Sequence, residues 1–248
     1  PGGAAREARE DAKNASPLPD LFADPLVADI RDLWRLRNRM VEARRRLTLQ
    51  AKAACRMAAG GDLKDADRIW KAGVAGEGEM APFIAAMLAA MAPLQDQQRA
   101  YESALRKAAK RLPVHDAATA TRGVNAMTLA AVVGELGDLG AYAKPGGMWK
   151  RGGLAVIDGE RQRRVAGDAA LIHGYSPRRR SALWNVGAAL FKAQSHPEAG
   201  PWRRHYDARR VIEDARCESK GHAHARALRH MTKAWLRALQ REWRRAAA

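Results

Sequence analysis

Thr121-Arg122-Gly123-Val124-Asn125 and Ser176-Pro177-Arg178-Arg179-Arg180 are two helix starts around which the rest of the chain is arranged. The first leads into an apolar helical run, Ala126, Leu129, Ala130 and Val133. Gly123 and Asn125 are residue types that turn a backbone sharply, since glycine lacks a Cβ and asparagine tolerates the left-handed region. Such a turn before a helix leaves amide N–H groups free to hold a phosphate; the plainer alternative is an ordinary turn. In the second, Ser176 reads as an N-cap and Pro177 as the first helical residue, with the helix running to about residue 193. Three arginines then fall at the positive end of the helix dipole, which is unfavourable unless an anion offsets them. A solvated helix start would carry the same letters.

Between these two starts the pattern is broken into short pieces. Residues 135–142, Glu-Leu-Gly-Asp-Leu-Gly-Ala-Tyr, read as a tight turn, and Lys144-Pro145-Gly146-Gly147 opens a short helix containing Trp149, Lys150 and Arg151. Leu154 to Ile157 is the one convincing strand. Asp158-Gly159 is a hairpin turn, with Arg161, Arg163 and Arg164 on the returning strand. That basic hairpin is either a phosphate contact or a solvated strand. Residues 114–200 together make a compact unit.

Upstream, 1–24 carry Pro1, Pro17 and Pro19 and read as a flexible leader. Residues 25–113 read as a helical coiled-coil arm. In its first helix Leu33, Met40, Leu47 and Ala54 alternate with Leu36, Ala43, Gln50 and Met57 at heptad spacing. Gly60-Gly61 stops that helix, and Asp62 caps a short one. Met80, Met87, Leu94, Tyr101 and Ala108 then alternate with Ile84, Met91, Gln98, Leu105 and Leu112, up to Pro113. Antiparallel pairing of the two heptads predicts Gln50 close to Gln98.

Downstream, 196–221 read as loop-rich, with Arg203 and Arg204 interleaved with aromatics as in surfaces that stack on bases; packed aromatics with snorkelling arginines are the alternative. The last helix, about 223–245, has an apolar stripe of Leu228, Met231, Trp235, Leu239 and Trp243. A second stripe is purely basic: Arg226, Arg229, Lys233, Arg237, Arg241 and Arg244. Residues 201–248 hold 13 Lys/Arg against 5 acids, so +8 of the net +17 lies there. This charge excludes an acidic, solvating protein and favours a polyanion partner.

Two cysteines, Cys55 and Cys217, make no disulfide framework, and no apolar run has membrane-spanning length. Cys217, His222 and His224 lack a strong zinc spacing. No metal, no cofactor and no catalytic residue is therefore expected.

The order of pieces from 118 to 194 resembles the C-terminal domain of insertion-sequence transposases of the one-ten type, RNA-guided DEDD recombinases of bacterial mobile elements. The matching pieces are Gly123-Val124-Asn125, Leu129-Ala130, Leu136-Gly137-Asp138, Gly153-Leu154 and Gly174 to Arg180, and the arm resembles that family's coiled-coil insertion. The resemblance covers about a third of the chain. The family's acidic N-terminal domain has no counterpart in 1–113, and its serine has none between Gly153 and Tyr175, the nearest hydroxyls being Ser176 and Ser181. The chain alone is accordingly expected not to cut and rejoin DNA.

The fold expected is mainly α: an antiparallel coiled-coil arm, a compact helix-hairpin-helix-like domain with a small β-hairpin (114–200), and a basic C-terminal segment (201–248). The function expected is nucleic-acid binding by a transposase-like protein of a mobile element or prophage, bacterial, cytoplasmic and nucleoid-associated. The partners expected are DNA or structured RNA and a second copy of the chain through the arm, with no membrane. The phosphate contacts expected are Arg122, Gly123, Asn125, Lys150, Arg151, the hairpin arginines, Ser176, Arg178, Arg179, Arg180, Arg203, Arg204 and the basic stripe. A recombinase whose catalytic domain lies elsewhere and a coiled-coil interaction protein are the rival readings.

Overall fold

The computed structural model describes residues 20–195 and 200–247, and the chain is mainly helical with one two-stranded hairpin. Helix α1 (Pro25–Ala58) begins at Asp24, whose carboxylate accepts the amides of Leu26 and Val27, and ends before Gly60 and Gly61, both at positive φ. Asp62 caps α2 (Leu63–Val74) in the same way. Helix α3 (Ala81–Lys110) returns along α1, with Pro93 inside it. The arm is antiparallel: Arg37 meets Glu102, Arg44 donates to Gln98, and Thr48 reaches the Met91 sulfur, so partner numbers fall as those of α1 rise. At the tip α2 lies so close to α3 that a Cβ on Gly73 would collide with Ile84.

Of the heptad expected on α3, Ile84, Met91, Leu105, Ala108 and Leu112 are buried, and Met80, Met87, Leu94, Gln98 and Tyr101 are half-buried. That of α1 is shifted by one residue. Its seam is Ile30, Trp34, Arg37, Arg44, Thr48, Ala51 and Cys55, all buried or bonded to a neighbour. Gln50 and Met57 are exposed. Gln98, opposite Arg44, is thus displaced from Gln50 by about 9 Å along the axis at ~1.5 Å per residue, and the expected pairing of glutamines does not form. The physical reason lies in two features. The apolar stripe of α1 is broad enough for either register, and Arg37 and Arg44 can lay their stems in the seam while their heads find Glu102 and Gln98. Trp34 selects between the registers by donating its indole N–H to Glu135, across the base of the arm, at 2.8 Å.

The second unit begins with the single turn α4 (His115–Thr119) and the apolar helix α5 (Ala126–Leu136), buried along most of its length. Then follow α6 (Pro145–Arg151), the hairpin β1 (Val156–Ile157) and β2 (Glu160–Arg161), the short α7 (Ala169–His173), and α8 (Pro177–Ala193). Val156 pairs with Arg161 and Ile157 with Glu160, leaving Asp158-Gly159 as a two-residue turn at φ 51° and 78°. That turn is the one the Asp-Gly pair predicts, because both central residues need positive φ.

Two expectations change. Residues 1–19 of the expected leader lie outside the described residues, but 20–24 are anchored: the Leu21 carbonyl accepts the Asp138 amide at 2.8 Å. Phe22 receives the guanidinium groups of Arg31 and Arg151 over its ring. Within the stretch expected to be loop-rich, 196–199 are likewise not described, and Pro201–Asp214 form helix α9. Its turn-forming and charged letters conceal i,i+4 pairs, Arg203 with Asp207 and Arg210 with Asp214. The final helix α10 (Lys220–Ala246) packs on α9 and α8, and its stripe from Ala227 to Trp243 joins one core that runs from Leu21 through α5 to the C-terminal end. Close packing fixes α8 on α10, since a Cβ on Gly187 would collide with the Thr232 hydroxyl.

Candidate nucleic-acid interface

At each of the two helix starts that organise the sequence, the capping side chain accepts one of the free amides. At the first, Asn125 accepts the amide of Thr128 at 3.0 Å and so caps its own helix. Gly123, at φ 96°, sits against α8, where a Cβ would lie 2.8 Å from that of Ala193 and 3.0 Å from the Ala189 carbonyl. The Arg122 carbonyl accepts from Gln194. Glycine is required here by close packing, while Asn125 and Thr128 on the far side of the turn line a recess of about 400 Å³ shared with Glu135, Arg178 and Ser181.

At the second start Ser176 accepts the Arg179 amide, as its N-cap role predicts. Two of the three arginines, Arg178 and Arg179, meet an internal anion, Glu135. This carboxylate is 2% exposed, in the last turn of α5, and lies 3.2 Å from Arg178 Nε and 3.8 Å from Arg179 Nε. Arg151 donates to the backbone carbonyl of the same residue. Burial and the neighbouring Arg151 press the Arg179 pKa below its usual value, and Glu135 opposes them. Arg178, Arg179 and Arg151 therefore hold the fold together around an internal carboxylate.

Several other expected contacts are also engaged within the protein. Arg244 donates to loop carbonyls of Gly140, Tyr142 and Ala143. Arg203 is held by Asp207 and the Ser195 hydroxyl and lies over Phe191. Lys233 stacks over Trp149 at 4.2 Å. Arg226 pairs at 2.7 Å with Glu213, a carboxylate 1% exposed that also pairs with Arg209. Arg204 is exposed but engaged in the fold. Lys150, Arg164, Arg237 and Arg241 are exposed.

The structure brings together a different subset. A recess of about 440 Å³ opens between the hairpin, the start of α8 and the first half of α10, and five arginines line it: Arg161, Arg163, Arg180, Arg226 and Arg229. Arg180 is aimed by donating to the Gly153 carbonyl at 2.8 Å. Glycine is needed at 153, at φ 71°, because a Cβ there would press on Tyr175 and Arg180. The one acid on the lining, Glu160, pairs with Arg163. Burial, then the charge of Arg161, lowers the Arg180 pKa; burial, then Arg180, Arg226 and Arg161, lowers that of Arg229. These groups stay charged at neutral pH and repel one another in the recess. The individual arginines are visible in the sequence. Their convergence from three elements is not, since no spacing relates 161, 180 and 229.

Histidines join α9 to α10. His205 and His230 stack with ring centroids 5.0 Å apart and nitrogens at 2.9 Å, and the Tyr206 hydroxyl meets His224. The pKa of His230 is lowered by burial and by Arg209, and that of His224 by burial and Arg210. Groups depressed in the folded state add stability above the unfolded histidine value, near ~6.5, and that contribution is lost as pH falls through the folded values. The urea midpoint is expected to fall between pH 7.5 and 5, and less so in His230→Gln. An unchanged gap between the two proteins would remove the histidines from the account.

Among the described residues no group of His, Cys, Asp or Glu is placed to hold a metal ion, and no helix is long and apolar enough to cross a membrane. No protein-family model matches this chain, and no curated protein or solved structure shows significant similarity to it.

Proposed function

We propose that the protein binds nucleic acid through its phosphates, at the arginine-lined recess and along the adjoining exposed face of α10. The observation that carries this reading is the convergence of Arg161, Arg180 and Arg229 on one concavity whose only lining acid is already paired. A bound phosphate relieves that repulsion and accepts several charge-assisted hydrogen bonds. Arg237 and Arg241, further along α10 and exposed, extend the positive surface. With the resemblance of 118–194 to the transposase domain, the reading becomes a transposase-like nucleic-acid-binding protein of a mobile element, acting at the bacterial nucleoid. Phosphate contacts do not distinguish DNA from structured RNA.

The test is the salt dependence of binding to a random-sequence oligonucleotide. Arg161→Gln combined with Arg229→Gln is expected to weaken binding to all sequences and to reduce the slope of log K against log salt by about one unit, because both arginines serve the one phosphate held in the recess. Arg178→Gln, by contrast, should leave the slope unchanged, because Arg178 serves Glu135. Equal slopes for the wild type and the double variant would refute the assignment.

The arm supports a second, compatible role. Leu49, Met57, Leu63, Val74, Phe83 and Leu88 are large apolar residues exposed on its distal half, as suits a contact between two copies of the chain. Met57→Glu with Leu63→Glu is expected to shift the sedimenting species from dimer to monomer. A wild-type chain that is monomeric at ~100 µM would exclude this contact.

A further inference from the structure

Resting on the phosphate-binding reading, we infer that the arginine recess takes the terminal phosphomonoester of a nucleic-acid strand in preference to an internal phosphodiester. Three features lead there. The first is shape. The recess is concave, walled by the hairpin on one side and α10 on the other. A duplex backbone presents its phosphates along a convex rod, one every ~3.4 Å of axis on each strand, so an internal phosphate brings a neighbour on either side to the walls of the recess, and a terminal one brings a neighbour on one side only. A strand end can enter.

The second is charge. Arg163 pairs with Glu160 and Arg226 with Glu213, which leaves Arg161, Arg180 and Arg229 facing one another with no acid of the lining paired to them, though Glu213 acts on Arg229 from outside it. An internal diester brings one negative charge. A terminal phosphomonoester brings about −1.5 to −2 near neutral pH and three acceptor oxygens, which suits three guanidinium groups that no acid of the lining pairs.

The third is the rim. Val156 is 51% exposed beside the recess, and Gly159 leaves the turn without a side chain there. An apolar residue at the mouth suits the sugar and base of a terminal nucleotide, whereas a site for free phosphate alone has no use for one.

The experiment compares single-stranded 12-mers, fluorescently labelled at one end, that carry either a phosphate or a hydroxyl at the other, in both polarities. Binding is read by anisotropy at fixed ionic strength. The wild type is expected to favour a phosphorylated end by about tenfold or more, the scale of one added charge-assisted hydrogen bond. Arg161→Gln with Arg229→Gln should abolish the preference, and Arg237→Gln should leave it intact while weakening both strands alike. Arg161 is an exposed hairpin residue, so the single Arg161→Gln, expected to reduce the preference in a fully folded protein, covers the case in which the double variant is poorly folded. Equal binding of phosphorylated and hydroxyl ends in the wild type would overturn the inference. If the double variant then weakened both equally, backbone binding at this recess would stand. A preference that survives in the double variant would also overturn it, as would inorganic phosphate or a nucleoside monophosphate competing as tightly as the phosphorylated strand. No binding of any strand would overturn the inference and the function together.

Discussion

Glu135→Ala is expected to cost about 3 kcal/mol of folding stability, toward the lower end of what breaking a buried ion pair costs, because Arg178 keeps access to solvent. The carboxylate accepts the Trp34 indole N–H and faces Arg178 and Arg179, so its removal strands a buried donor and two cations at the start of α8. Glu135→Gln retains an acceptor for Trp34 and should lose less. The informative comparison is the triple change Arg178→Gln, Arg179→Gln, Arg180→Gln. Reasoning from the helix dipole alone predicts a small gain in stability on removing cations from a helix start. With Glu135 in place the opposite is expected, since the triple variant leaves that carboxylate buried and unpaired. Urea titrations at constant m-value distinguish the two. A triple variant as stable as the wild type would show that Glu135 does not anchor α8.

Glu213→Ala is the second large effect, again about 3 kcal/mol, and it acts at the contact between α9 and α10. Glu213 is buried on α9 between Arg209, one turn before it, and Arg226 on α10, and it is the ionic tie between these helices. Removing it leaves two partly buried guanidinium groups repelling across the α9–α10 contact. Removing Arg226 together with Glu213 should restore part of the loss. The double variant Glu213→Ala, Arg226→Ala is thus expected to be more stable than Glu213→Ala alone, a non-additivity that a double-mutant cycle reads directly. Additive losses would mean that the carboxylate and Arg226 do not act as a pair. The pair also shows why basic letters are a poor count of available charge: of the stripe on α10, Arg226 is taken up by Glu213 and Arg244 by loop carbonyls.

Local chemistry was sufficient for much of the chain. Asp62 and Ser176 cap the helices they precede, as their place beside free amides predicts, while Asn125, read as a left-handed turn residue, is extended and caps its helix instead. Asp158-Gly159 makes the hairpin because few pairs accept two positive φ values, and one line of the α3 heptad, Ile84, Met91 and Leu105, lies buried as its spacing says. Tertiary structure decided the rest, wherever the partner was distant in sequence. The α1 register was settled by Trp34 reaching Glu135, 101 residues away, between two faces that spacing alone could not rank. The need of the Arg178–Arg180 helix start for an anion was legible, but that the anion is the protein's own Glu135 was not, because burial and opposition across elements leave no mark on either local segment. For the same reason the recess of Arg161, Arg180 and Arg229 exists only in three dimensions: a sequence fixes which cations a helix or hairpin presents, and packing fixes which of them are consumed and which are brought face to face.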